Sequence, residues 1–118
     1  MSVKDQVNNP VDTVSPVIAA GQSLSGAAFC GGLRPRGIYI PSNWTTAAMY
    51  FFTSHDNTNF SEVYDGSGNE YQVAVVAGTY VLLDPDVFDY IFALQIQSGP
   101  TALPVIQTYA QSLIINLG

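Results

Sequence analysis

The residues able to do chemistry are few, and their spacing decides what they can do. The chain has one histidine, His55, next to Asp56. A Ser-His-Asp arrangement would have to use it, yet no G-x-S-x-G places a serine on a nucleophile elbow. His55 lies in the polar run His55-Asp56-Asn57-Thr58-Asn59 and is expected as a solvated loop histidine. One cysteine, Cys30, excludes an intrachain disulfide, and one Cys with one His cannot make a structural zinc site. No Lys or Arg lies within three residues of Cys30 to favour a thiolate, so a small buried residue at a strand end is expected.

The acidic residues offer two further groups. Asp65-Gly66-Ser67-Gly68-Asn69-Glu70 superficially resembles a calcium loop but lacks the spaced ligands and the closing Glu; it is expected as a hairpin turn. Asp84, Asp86 and Asp89 form a second cluster, read as a turn with Asp84 as N-cap and Pro85 after it. Gly31-Gly32-Leu33-Arg34-Pro35-Arg36 sets glycines beside two arginines but has no G-K-[ST] and no helix after it, so it is not a phosphate loop. Arg34 and Arg36 are two of only three basic residues, which fits either polar anchors to a partner or a plain exposed loop. No enzyme activity and no cofactor is expected from this inventory.

A chain of 118 residues is expected to make one domain. Hydrophobic residues are 47% and charged residues only 10%, which excludes an acidic disordered tail. The net charge of −6 argues against a nucleic-acid partner, because neutralising phosphates needs clustered Lys and Arg. Met1 to Gln6 has no apolar core of a signal peptide, and no apolar stretch is long enough to span a membrane. Ser, Thr, Asn, Gln and Tyr replace the usual surface charges, a composition suited to lying against another protein.

Residues 1–15 read as an extended arm that orders against a neighbour, carrying Val3, Val7 and Val11 as contacts. From 16 to 118, about eight strands separated by turns recur every 8–12 residues. They are expected at 17–20 with 23–27, 37–40, 48–54, 60–64, 70–75, 79–83, 91–98 and 107–117. Short connections favour antiparallel pairing. The expected fold is an all-β antiparallel sandwich, jelly-roll-like or immunoglobulin-like. Its core candidates are Leu24, Ile38, Ile40, Trp44, Tyr50, Phe52, Val63, Val73, Val75, Val81, Leu83, Phe88, Leu94 and Ile96. Tyr39, Tyr71 and Tyr109 are expected to face outward, where aromatic platforms could take a sugar.

Several runs also carry a resemblance. They are Ile18 to Ser25, Arg36 to Thr45 with its Ile40-Pro41 and Trp44-Thr45, Phe52-Thr53-Ser54, Val63-Tyr64-Asp65, Gly68-Asn69-Glu70, Leu83-Asp84-Pro85 and Leu94 to Gly99. In this order, over residues 17–117, the set resembles small β-sandwich virion proteins of tailed bacteriophages, of the capsid cement or decoration type. The resemblance implies a structural role on the outer surface of the virion, after synthesis in the cytoplasm of a bacterial host. It implies the major capsid protein as partner and self-association as a homotrimer, and it brings no catalytic residues. The alternative is a tail- or fibre-associated receptor- or glycan-binding module.

Overall fold

A computed structural model describes residues 12–84, 86–88 and 91–118. Val3, Val7 and Val11 therefore lie outside the described residues, as do Pro85, Asp89 and Tyr90. Among the described residues eleven short strands run in order: β1 Asp12–Val14, β2 Val17–Ile18, β3 Ala28–Phe29, β4 Pro35–Tyr39, β5 Met49–Ser54, β6 Ser61–Glu62, β7 Gln72–Val73, β8 Tyr80–Leu82, β9 Ala93–Ser98, β10 Gln111–Ser112 and β11 Ile114–Leu117.

Several of these are one strand interrupted. β1 and β2 pair with β11 and β10 in a single register, from Asp12↔Leu117 to Ile18↔Gln111. Pro16 breaks the ladder because it has no N–H to give, but its carbonyl still accepts from the Leu113 N–H at 3.0 Å. Likewise β6 and β7 both pair with β5 and are separated by the excursion Val63–Tyr71, closed by Tyr71 N–H to Val63 O. Eight strands result, the number the turn spacing predicts, but divided differently: 60–64 and 70–75 belong to one strand, while the single strand expected over 17–27 parts into β2 and a run that leads into β3 on the other sheet. Asp12 to Val14, read from the sequence as part of the arm, are instead paired with β11 within the chain's own sheet.

The strands lie in two antiparallel sheets, β1-β11-β4-β8 and β3-β9-β5-β6/β7. The first strand pairs with the last, β3 with β9, β4 with β8, and β5 with β6 and β7. That nested pairing is a long hairpin wrapped around a barrel, the jelly roll, and it selects between the two sandwich topologies expected. Crossing from β2 to the second sheet needs Gly21 at φ +81°, followed by a run in which Leu24 bridges Gln97. The register then slips by one residue before Ala28 meets Leu94.

Alternation fills the space between the sheets. Ile38, Ile115 and Leu117 from one sheet meet Met49, Phe51, Leu94 and Ile96 from the other, with Ile18, Ile40, Leu83, Phe88 and Leu113 completing the core. Phe88 is fully buried and stacks edge-on against Phe51 at 5.0 Å and Tyr71 at 5.6 Å. Three expectations are corrected here. Leu24 is 39% exposed, because its bridge to Gln97 sits at the sheet edge. Phe51 takes the inward place expected for Phe52, since its register partner is Ile96. Tyr71 turns inward onto Phe51 instead of facing solvent.

Candidate functional site

Asp65 Oδ1 accepts from the N–H groups of Ser67 and Asn69, and Gly68 sits at φ +85°, so the loop closes on itself as a hairpin. Asp84 Oδ1 accepts from the Asp86 N–H at 3.0 Å, the capping role expected for it. These two loops, distant in sequence, face each other across a cleft of about 770 Å³ lined by Tyr64, Asp65, Asn69, Glu70, Gln72 and Asp86 among others. Glu70 reaches out of it to accept from Thr101. Among the described residues no three acidic, His or Cys side chains are placed to hold a metal ion. Tyr71 forms the floor, and burial pushes its phenol above the usual range.

His55 and Asp56 separate in role. The Asp56 carboxylate accepts from the Thr58 and Asn59 N–H groups, both at 2.9 Å, and from the Ser54 hydroxyl and the Asn59 amide. Those donors hold its pKa well below the usual carboxylate range, and they tie the loop after β5. His55 is exposed at a hollow of about 350 Å³ that it shares with Phe29, Phe92, Gly31 and Gly32. There Phe29, 58% exposed, meets Phe92 edge-on at 4.9 Å. Cys30 beneath is buried as expected, and desolvation pushes its thiol up to about 11.

Arg34 and Arg36 come together at one end of the sandwich, with the last residue of the chain. Arg34 and Gly118 exchange both backbone hydrogen bonds, at 3.1 and 2.9 Å, and the Arg36 side chain lies against Gly118. Both arginine side chains are exposed. Asp12, where residues 1–11 join the described chain, borders a neighbouring hollow of about 320 Å³ with Phe29, Leu33 and Leu117. The expected arginine anchors thus lie beside the paired strands β1 and β11.

Sequence reasoning missed a broader feature, the outer face of the β1-β11-β4-β8 sheet. Ile114, Tyr39 and Tyr80 are direct cross-strand neighbours and form one outward row across three strands. Asn116, Gly37 and Leu82 form the next row, with Thr13 beyond Asn116. Tyr80 lies flat across this row. Its hydroxyl accepts from the Asn116 amide at 2.8 Å, and a Cβ on Gly37 would collide with its ring. The ring needs a glycine beneath it, which is why Gly37 interrupts a strand without turning it. Tyr39 is 38%, Ile114 42%, Tyr80 49% and Leu82 78% exposed. The outward positions Thr13, Ser15, Val17, Gly37, Tyr39, Tyr80, Leu82, Ser112, Ile114 and Asn116 include no charged residue. The signal for it was the alternation in Ser112-Leu113-Ile114-Ile115-Asn116-Leu117, which puts one apolar residue on the solvent side.

Comparison with protein-family models, with curated proteins and with solved structures finds no match to this chain.

Proposed function

We propose that this protein is a structural component of a bacteriophage virion, a cement protein that decorates the outside of the capsid. The observation that carries the reading is the uncharged, tyrosine-bearing sheet face on an acidic chain. Depletion of charge with enrichment of Tyr marks the centre of protein interfaces. The ordered resemblance to phage decoration proteins supports it. So does the jelly roll, an architecture that viral capsid domains use, although fold alone does not assign a function.

The mechanism is passive. Each domain docks on the major capsid protein and on sister copies, in the threefold clusters that the resemblance implies. A ligand that binds only the assembled shell stabilises it by mass action. Arg34 and Arg36, at the end of the sheet beside Asp12, would anchor the contact, and Val3, Val7 and Val11 would add apolar contacts. Neither nucleic acid nor membrane is a partner in this reading. Particles assembled without the protein should release DNA at a lower temperature, and added purified protein should restore the original threshold. Restoration by a chain lacking residues 1–11 to the same extent would refute the role given to the arm. Failure of the intact protein to bind or protect would refute the cement reading.

The cleft between the two acidic loops favours a second reading, a glycan-binding module on a tail or fibre. Tyr64 is 55% exposed beside the Asn69 and Gln72 amides and the Asp86 carboxylate, a ring and acceptors of the kind that hold sugar hydroxyls. Selective signals on a glycan array, lost in Tyr64→Ala, would favour it over the cement role.

A further inference from the structure

We infer that the outer face of the β1-β11-β4-β8 sheet seats the same face of a second copy of this chain, so that the self-associated unit is a two-fold pair. The inference rests on the self-associating structural role proposed above, names its surface, and departs from the threefold grouping that the resemblance implies. Three observations converge on this occupant.

The first is charge. The chain carries −6, and its described acidic groups are distributed over the loops, the ends and the other sheet: Asp12, Asp56, Glu62, Asp65, Glu70, Asp84 and Asp86. Two such chains repel wherever carboxylates meet. The ten outward positions of this sheet have none, so two copies can approach there without burying a like-charged pair.

The second is shape. Sheets pack face to face at ~10 Å when their side chains interdigitate. Tyr80 is held over Gly37 by the Asn116 amide and fills the place where that strand has no side chain, beside Tyr39 and Ile114. Leu82, the most exposed large apolar side chain among the described residues, stands in the next row. Pairing through one and the same face relates the two copies by a two-fold rotation, which makes the contact isologous.

The third is area. Four strands at ~4.8 Å spacing and about five residues at ~3.4 Å rise give a footprint of roughly 19 by 17 Å. Two such faces bury roughly 650 Å² by footprint and on the order of 1,000 Å² with side-chain relief, below the ~1,200–2,000 Å² of stable complexes and in the range of weak ones. The pair should therefore be concentration-dependent.

Light scattering coupled to size exclusion tests this on the full chain, over a dilution series. The expected mass is about 25 kDa when concentrated, twice the 12.6 kDa chain, falling toward 12.6 kDa on dilution. Tyr39→Glu and Leu82→Glu should each weaken the pair by about tenfold or more, since truncating or charging a central contact has that scale of effect. Leu103→Glu, on a loop at 73% exposure, should leave it unchanged. Circular dichroism establishes that each variant is folded; Leu82 is so exposed that its variant carries the test if Tyr39→Glu does not fold. A mass of 12.6 kDa at every concentration, a trimer near 38 kDa, or pairing indifferent to both substitutions would overturn the inference. A monomer still present on purified particles would overturn it alone and leave the virion role standing, whereas absence from particles would count against that role.

Discussion

Phe88→Ala should remove a large part of the protein's stability. Phe88 has no exposed surface and is held between Phe51 and Tyr71 by two edge-on ring contacts. Cutting a buried phenylalanine to alanine costs about 3–5 kcal/mol, because the cavity collapses only in part. Edge-on aromatic pairs, worth about 0.5–1.5 kcal/mol each, push the value toward the top of that range. A 118-residue domain has roughly 6–18 kcal/mol in total. The substitution thus takes between a quarter and most of it. Trp44 is the single tryptophan and is buried, so its emission reports global unfolding. With a urea slope of about 2 kcal/mol/M, the midpoint should fall by about 2 M. Phe29→Ala is the contrast, an exposed ring whose loss should shift the midpoint by less than about 0.5 M. A Phe88→Ala midpoint within ~0.5 M of the parent would refute the three-ring core. It would also detach the Asp84–Phe88 turn, and with it one wall of the cleft, from the place described.

Three other expectations follow from single residues. Asp56 has its pKa lowered by backbone donors, so it stabilises the fold above its unfolded value of 3.8, and that support is lost as pH falls below it. Asp56→Asn should lower the melting temperature at neutral pH, and the gap to the parent should close in acid melts; a gap that persists at the lowest pH would show that charge is not the cause. The Cys30 thiol is raised from 9.0 to about 11, so its contribution is complete below 9.0 and fades as pH rises through 11. A thiol reagent at pH 8 should react with the folded chain only at the rate of opening, and fast labelling before unfolding would contradict its burial. Gly37→Ala should displace the Tyr80 ring and break its hydrogen bond with Asn116, at a cost of about 1–3 kcal/mol, the scale of overpacking. An unchanged melting temperature would mean that the ring does not lie over Gly37.

The legible parts of the fold were those fixed by local chemistry. Glycines and Asx turns gave the Asp65–Asn69 hairpin, and alternation in Ile38-Tyr39-Ile40 gave the two buried isoleucines and the outward tyrosine. Parity failed where both phases of a strand are apolar. In Met49-Tyr50-Phe51-Phe52 either set could face in, and only the pairing of Phe51 with Ile96 decides it. Tyr50 is then buried on the opposite side, with its hydroxyl donating to Gln72. The strand at Asp12–Val14 was hidden because it is polar and short, and its partner is more than a hundred residues away. The same long-range pairing created what spacing could not show. The row Ile114–Tyr39–Tyr80 draws on three separate segments, and the acidic cleft on two loops. Arg34 and Arg36 were singled out for their rarity, but their meeting with Gly118 depends on the first and last strands being neighbours.

The proposed role as a shell component is tested most directly by counting copies of this chain per major capsid subunit in purified particles, by quantitative mass spectrometry. The account predicts a ratio near one, or a simple fraction set by the symmetry of the clusters. A few copies per particle would contradict shell decoration and move the protein to a tail or fibre. Absence from the particles would contradict the virion role altogether.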